Sequence, residues 1–397
     1  MKEQTVLVTA GRYPERFDGA VNTPIYRGST IVHESMAHWE EKKKRRAAGD
    51  PAASTYGRFG MATQHALQEA IAELEGGYRS FLFPSGLAAI SSTLLTLLSA
   101  GDHILITDSA YSPTTGFIKR VLQRFGVSYD VYHPEAGNSL ESQLRPETKV
   151  VYVESPGSET FEIQDIPAIA EVAHRHGAKV VMDNTWGTPL FYKPFEHGVD
   201  VSIQAATKYI VGHSDAMLGI VTCTEELWPQ FKATVEDLGQ TAGPDEAFLA
   251  LRGLRTLGVR LQQHWRNGIE VASWLEQRPE VERVLHPGLP SHPGHELWKR
   301  DFRGACGLFA MVLKPAPEEA VHAFVDALQY FGLGVSWGGY ESLIIPFDPK
   351  GSRSAYKWPY EGQAMRLHIG LEDPADLIAD LEQALGHLNS TKTKLSA

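Results

Sequence analysis

Lys208 stands in the run Asp200-Val-Ser-Ile-Gln-Ala-Ala-Thr-Lys208-Tyr-Ile-Val-Gly-His-Ser-Asp215. Asp183 closes the run Lys179-Val-Val-Met-Asp183, 25 positions before Lys208. An acid at the end of one apolar strand and a lysine just after the next suit a pyridoxal phosphate site. That cofactor needs an amine to hold its aldehyde as a Schiff base. It also needs an anion against the pyridine nitrogen, so that the protonated ring acts as an electron sink. Lys208 and Asp183 fit those two roles. A lone lysine is ordinarily a solvated surface residue. One that follows an apolar strand, between Thr207 and Gly212-His-Ser-Asp215, fits that description poorly.

Other residues join them by type. Pro84-Ser85-Gly86-Leu87 lies between a predicted strand and a predicted helix. Backbone N–H groups at a helix N-terminus bind anions, and small residues let a phosphate approach. Alone the segment also reads as a plain strand-to-helix turn; beside Lys208 and Asp183 it becomes a candidate phosphate cradle. Tyr56-Gly-Arg58-Phe-Gly60 sets a phenol and a guanidinium two apart, and the planar fork of arginine suits a phosphate dianion. By itself it reads as a structural turn. Tyr111 follows a predicted strand, where it can stack on a planar ring and handle protons, or simply pack. Ser336-Trp337-Gly-Gly-Tyr-Glu-Ser342 is a glycine-flexed loop with a large aromatic. Arg366 lies inside an apolar strand, so its charge needs a partner. A substrate α-carboxylate and an internal salt bridge both satisfy that need.

Other chemistries find little support. His33-Glu-Ser-Met-Ala-His38 has one residue too many for a zincin motif, and no metal site is expected. The sequence holds no GxGxxG, Walker A or GxSxG pattern. His174 and His176 fall on different faces of a predicted helix and read as surface residues.

The elements that must position these residues alternate. The first ~55 residues read as irregular apart from a helix over Met36–Ala48 that stops at Gly49-Asp-Pro51. Its basic run Lys42–Arg46, preceded by Glu40 and Glu41, reads as a solvated helix face. From about Ser54 helical runs and short apolar strands take turns: Thr63–Glu75 helical, Phe81–Phe83 strand, Leu87–Leu98 helical, His103–Thr107 strand. A loop over Asp108–Pro113 then leads into a helix to Phe125. Further strands are read at Val150–Glu154, Val180–Met182 and Val201–Ile203, with a helix capped by Asp165 and stopped at Gly177. Such alternation predicts an α/β fold with a mainly parallel sheet sandwiched by helices. Ligands then bind beyond the carboxyl ends of the strands, where Asp183 and Lys208 fall. A long helix over Asp245–Glu276 leads to a smaller C-terminal α+β region. Its predicted strands are Leu308–Val312, Ser342–Ile345 and Met365–Ile369, and its predicted helices Glu318–Tyr330 and Pro374–Leu388. The tract Ile345–Tyr360 fits no assignable pattern.

Composition narrows the function class. The chain has 397 residues, 43% hydrophobic and 21% charged, as expected of a soluble globular protein of two or three domains. A net charge of −11 disfavours a general nucleic-acid or anionic-membrane binder. Cys223 and Cys306 belong to no CxxC pattern and read as reduced, packed thiols. No signal-peptide core and no membrane-spanning run is apparent, and the expected location is cytoplasmic.

Together the segments Tyr56-Gly-Arg-Phe-Gly, Pro84-Ser-Gly-Leu-Ala-Ala-Ile, Asp183-Asn-Thr-Trp, Ala206-Thr-Lys-Tyr and Gly212-His-Ser-Asp resemble the transsulfuration (Cys/Met metabolism) enzymes. These are fold type I pyridoxal phosphate proteins, and the resemblance covers nearly the whole chain in order. Glu154-Ser-Pro-Gly-Ser-Glu-Thr-Phe, the loop Ser336–Ser342 and Arg366-Leu-His-Ile-Gly-Leu-Glu-Asp are similar to the branch that eliminates at Cβ. The resemblance implies that Lys208 binds the cofactor and shuttles the proton, and that Asp183 pairs with the pyridinium nitrogen. Ser85, the backbone of Gly86 and Leu87, and Thr207 would hold the phosphate. Tyr56 and Arg58 would reach the phosphate of a neighbouring subunit, and Tyr56 the substrate too. Tyr111 would stack on the ring and assist proton transfer, and Arg366 with Ser336 and Trp337 would bind the substrate carboxylate. Many members have Ser three residues before the lysine; Ala205 stands there, as in the β-eliminating branch. The implied reaction is α,β-elimination from L-cystathionine in methionine biosynthesis, with cystine and S-alkyl-cysteines as further substrates. γ-Chemistry and a non-catalytic cofactor-binding regulator are the alternatives. The implied organisation is an N-terminal arm (1–55), a cofactor domain (56–245) and a linking helix with a C-terminal domain (246–397), assembled as a homotetramer.

Overall fold

Short β-branched and aliphatic runs, each fenced by a helix or a turn, build the first sheet. The computed structural model describes residues 1–50, 53–351 and 353–390. Its strands in chain order are β1 (Arg79–Phe83), β2 (His103–Thr107), β3 (Ser128–Tyr132), β4 (Thr148–Glu154), β5 (Lys179–Asp183), β6 (Val201–Ala205) and β7 (Gly219–Cys223). They lie in the order β1-β7-β6-β5-β4-β2-β3. β3, β2, β4, β5 and β6 run parallel. Helices cover both faces, which is why β2 and β7 are buried at every position.

β7 departs from the expected alternation: it pairs antiparallel with both β6 and β1. The connection from Ala205 to Gly219 contains no crossover helix, and without one the chain can only turn back on itself. That connection carries Lys208. β3, an edge strand with only Tyr132 fully buried, also escaped the sequence reading.

A second sheet follows the helix Pro244–Leu275. Its strands are β8 (Val281–Leu285), β9 (Leu308–Leu313), β10 (Gly332–Leu333), β11 (Leu343–Phe347) and β12 (Ala364–His368), in the order β10-β11-β12-β9-β8. The helices Glu318–Asp326 and Pro374–Ser390 pack on it over Phe309, Met311, Phe324 and Leu381. The first of these stops short of the expected Tyr330 because Asp380 takes the N–H groups of Gln329 and Tyr330.

The N-terminal segment holds one helix more than expected, Glu3–Thr9. Tertiary contacts stabilise so short a helix. Val6 and Leu7 are buried, Arg255 donates to the carbonyls of Leu7 and Ala10, and Glu3 pairs with Lys193 and Arg303. The helix Met36–Ala47 is capped by Ser35 and ends where the sequence predicts; Pro51 lies outside the described residues. Its basic run is not merely solvated, since Arg46 covers the Phe59 ring and pairs with Glu236. His174 likewise has a partner, Asp200, at 2.8 Å. Among the described residues no helix is long and apolar enough to cross a membrane.

Candidate active site

The carboxyl edge of the first sheet gathers most of the residues singled out in the sequence. Ser85 follows β1, Tyr111 follows β2, Asp183 ends β5 and Lys208 follows β6. The second sheet supplies Arg366 from β12 and Ser336-Trp337 from the loop between β10 and β11.

Lys208 is largely buried, and its Nζ donates to Ser336 Oγ at 2.7 Å and lies 5.2 Å from the centre of the Trp337 ring. Burial, reinforced by the Arg366 charge and opposed by Asp183, lowers its pKa to about 8. A lysine in that range exists partly as the free amine near neutral pH, as a nucleophile or proton acceptor must. Ser336 itself has φ 78, a left-handed conformation costly for a residue with a side chain. Its carbonyl accepts from Arg366 Nη2 at 3.3 Å. No carboxylate among the described residues forms an ion pair with Arg366, so the internal salt bridge is absent and the guanidinium fork stays open toward the site.

Asp183 is buried, and only its Oδ1 is engaged, by the Thr185 N–H at 3.0 Å and the Thr185 hydroxyl at 2.6 Å. Burial raises its pKa, while Thr185 and Lys208 pull it back down. The second oxygen has no hydrogen-bond partner among the described residues. A buried carboxylate with one idle oxygen fits a pyridinium N–H.

The phosphate end is a helix N-terminus. Ser85 caps the helix Gly86–Leu97, its hydroxyl accepting from the Ala88 N–H at 3.1 Å. A Cβ on Gly86 would come 2.7 Å from that of Ala205, and one on Gly219 would come 2.1 Å from the Ser85 carbonyl. Glycine is therefore required at both positions for the cradle to close. The Leu87 side chain points outward and is exposed. The Thr207 hydroxyl accepts from the Leu218 N–H at 2.9 Å, which pins the turn bearing Lys208 to the start of β7.

Tyr111 is half-exposed; burial, then Asp183 and Glu154, raise its phenol pKa. Its N–H donates to Glu154 Oε2 at 2.7 Å. Glu154 ends β4 beside Asp183 on β5, and burial next to that second acid raises its pKa well above the carboxylate range. Sequence reasoning passed over Glu154. The signal was available, because it ends an apolar strand just as Asp183 does. His368 and Tyr209 were also missed. They stand behind Trp337, with Gly338 N–H 3.2 Å from His368 Nε2 and the Tyr209 hydroxyl 3.4 Å from Nδ1.

Tyr56 and Arg58 are not brought to this cluster within the chain. Tyr56 is exposed, and Arg58 donates to the Glu236 carbonyl at 2.6 Å.

A lysine of lowered pKa, a buried acid with an idle oxygen, a helix N-terminus suited to an anion and an arginine without an ion-pair partner among the described residues define the class: an enzyme that works through a bound, phosphorylated carbonyl cofactor. The chain belongs to the Cys/Met metabolism PLP-dependent enzyme family, whose model matches residues 4–386. Its cofactor is pyridoxal 5'-phosphate, and the idle Asp183 oxygen, the Gly86 cradle and the lowered Lys208 fit that group. It is 43% identical to the cystathionine beta-lyase MetC of Escherichia coli (strain K12) over 393 residues, covering 98% of this chain and 99% of that one. It is 46% identical to the cystathionine beta-lyase of Bordetella avium over 374 residues, 94% of this chain and 93% of that one. The crystal structure of metB from Corynebacterium glutamicum superposes with a TM-score of 0.89 at 32% identity, covering 98% of both chains.

Proposed function

We propose that the protein is a carbon–sulfur β-lyase that cleaves L-cystathionine to homocysteine, pyruvate and ammonia in methionine biosynthesis. One observation carries this reading most: Ser336 joins the Lys208 amine and the Arg366 guanidinium, an arrangement that would set a base and a carboxylate receptor about one substrate α-carbon. The identity to cystathionine beta-lyases along nearly the whole chain supports it.

Bound pyridoxal phosphate supplies an electron sink for the carbanion at Cα. The protein does the rest. Arg366 holds the α-carboxylate, with Ser336 and Trp337 closing over it. Asp183 would keep the pyridine nitrogen protonated, and Ser85, Gly86, Leu87 and Thr207 would hold the phosphate. With the cofactor and substrate bound, the Lys208 amine would accept the α-proton. The Cβ–S bond breaks with the electron pair going to sulfur, and Lys208 or Tyr111 returns a proton to the leaving homocysteine. The three-carbon enamine, once released, hydrolyses to pyruvate and ammonia. Cystine and S-alkyl-cysteines meet the same requirement, a sulfur leaving group on Cβ.

The organisation that goes with this reading is an arm over 1–55, a cofactor domain over 56–245 and the remainder over 246–397, in a cytoplasmic homotetramer. Tyr56 and Arg58 serve the neighbour's phosphate and substrate, which agrees with Tyr56 being exposed and Arg58 reaching the Glu236 carbonyl within one chain. The test is product identity from L-cystathionine. Pyruvate with homocysteine supports the reading; 2-oxobutyrate with cysteine moves the enzyme to γ-chemistry. Bound cofactor without turnover of any sulfur amino acid favours a regulator.

A further inference from the structure

Part of the tract Ile345–Tyr360, to which the sequence assigns no pattern, crosses from the second sheet onto the first. Asp108 lies in the turn after β2 and is 7% exposed. Its carboxylate accepts from the N–H of Ser354 (2.9 Å), Ala355 (2.9 Å) and Tyr356 (2.8 Å), and from the Ser354 hydroxyl (3.1 Å). Successive backbone N–H groups converging on an anion make a nest. Arg353 adds a second attachment: it donates to the Asp108 carbonyl at 2.5 Å, to the Ser158 carbonyl at 2.6 Å and to the Thr160 hydroxyl. One strap, Arg353–Tyr356, therefore binds two turns at the carboxyl edge of the first sheet. These turns are already joined by the Ser158 N–H donating to the Ser109 carbonyl at 2.7 Å.

A buried carboxylate is costly unless donors surround it. Among the described residues every donor to the Asp108 carboxylate comes from the strap, so the docked strap is what satisfies this carboxylate inside the protein. Three residues on, the same turn presents Tyr111, whose N–H is fixed on Glu154. Loss of the strap leaves Tyr111 held from one side only.

We propose that Asp108 and Arg353 are positioning residues: the strap Arg353–Tyr356 is a clasp that fixes the Tyr111 turn at the mouth of the site. The inference rests on Tyr111 acting there, as proposed above. It assigns a role to a segment to which the proposed reaction gives none, through backbone donors, the Ser354 hydroxyl and one guanidinium.

The experiment compares Asp108→Asn, Arg353→Gln, Tyr111→Phe and Arg353→Gln/Tyr111→Phe as holoenzymes. It measures the visible absorption of bound pyridoxal phosphate, backbone amide exchange by mass spectrometry, and kcat and KM on L-cystathionine. Asp108→Asn and Arg353→Gln keep the absorption band, exchange the amides of residues 109–114 at least tenfold faster, and lose at least tenfold in kcat. The double variant turns over no more slowly than Tyr111→Phe, because the clasp works through that ring. Unchanged exchange over 109–114, or losses from Arg353→Gln and Tyr111→Phe that simply multiply, overturns the proposal. Should the first two variants fail to hold cofactor, Ser354→Ala removes a single hydroxyl donor and is read by exchange alone. Faster exchange over 109–114 supports the clasp, and unchanged exchange overturns it. Absence of pyruvate from the wild-type enzyme would instead sink the proposed function, and the exchange result is independent of that.

Discussion

Lys208 and Ser336 meet across the two sheets: the amine donates to the hydroxyl at 2.7 Å, and the serine backbone is held left-handed at φ 78 to receive it. The hydroxyl thereby fixes where the amine points when it is free of the cofactor. A hydrogen bond to a charged group contributes about 1.5–3 kcal/mol. Ser336→Ala should therefore lower kcat by about 10- to 100-fold with the cofactor still bound. Steady-state kinetics beside an absorption spectrum would check this; a wild-type kcat would remove the hydroxyl from the mechanism.

Lys208→Ala should abolish both the absorption of the lysine-bound cofactor and turnover. Pyridoxal phosphate would then be held by non-covalent contacts alone, and dialysis should remove it. A variant that kept colour and activity through dialysis would move the attachment to another amine.

The lowered pKa of Lys208 gives a pH dependence with a definite sign. Below about 8 the amine is protonated and cannot attack the cofactor aldehyde. The rate at which cofactor-free protein captures pyridoxal phosphate should rise about tenfold per pH unit up to that point, then level off. Stability follows the same direction. The folded pKa of about 8 lies below the ordinary 10.5, so between these values the unfolded chain binds more protons. This group's contribution to the stability of the cofactor-free protein therefore increases as pH rises through that interval. Arg366→Ala removes a repelling cation and should shift the capture profile to higher pH; a shift to lower pH would contradict the assigned cause.

How far the sequence disclosed this site depends on what each residue contributes. Lys208, Asp183 and Arg366 were legible because a charge after or within an apolar run has few explanations. Glu154 follows the same rule and could have been read. β7 was not legible, since Ile220-Val-Thr looks like any apolar strand and its direction depends on the missing crossover helix. The contribution of Ser354, Ala355 and Tyr356 was out of reach, because apart from the Ser354 hydroxyl it lies in backbone N–H groups that every non-proline residue carries. The destination of Tyr56 and Arg58 belongs to an assembly, and one chain's pattern encodes it only through resemblance.

Arg366 has no ion-pair partner of its own among the described residues, so its removal should be felt by the substrate first. Loss of a paired, charge-assisted contact of about 2–3 kcal/mol corresponds to a rise in KM of roughly 30- to 150-fold. kcat should change less. Arg366→Lys should recover only part of the loss, because an ammonium cannot grip both carboxylate oxygens in one plane. An unchanged KM for L-cystathionine in Arg366→Ala would place the carboxylate elsewhere.

The adjacent glycines 338 and 339 give the sharpest test of how the second sheet controls Lys208. Gly338 has φ 87, and a Cβ there would lie 2.8 Å from the Lys208 carbonyl carbon and the Tyr209 nitrogen. Those are backbone atoms of the lysine turn and cannot swing aside. Its N–H also faces His368 Nε2 at 3.2 Å, on a ring kept neutral by burial, with a pKa near 4. Gly338→Ala must therefore lift the loop off the lysine turn and carry the Ser336 hydroxyl with it. A shift of that order at a proton-transfer contact can cost about 100-fold, and the left-handed strain adds roughly 1–2 kcal/mol against folding. A Cβ on Gly339 instead meets the ends of two side chains, the Ser214 hydroxyl and the Glu341 carboxylate. Ser214 is exposed, and both contacts are the far ends of flexible side chains rather than backbone, so Gly339→Ala should keep kcat within a few-fold of wild type. Measured together, a large loss in the first and a small one in the second would show that the register of this loop sets the position of the amine. Equal effects would mean that the loop acts only as a cover.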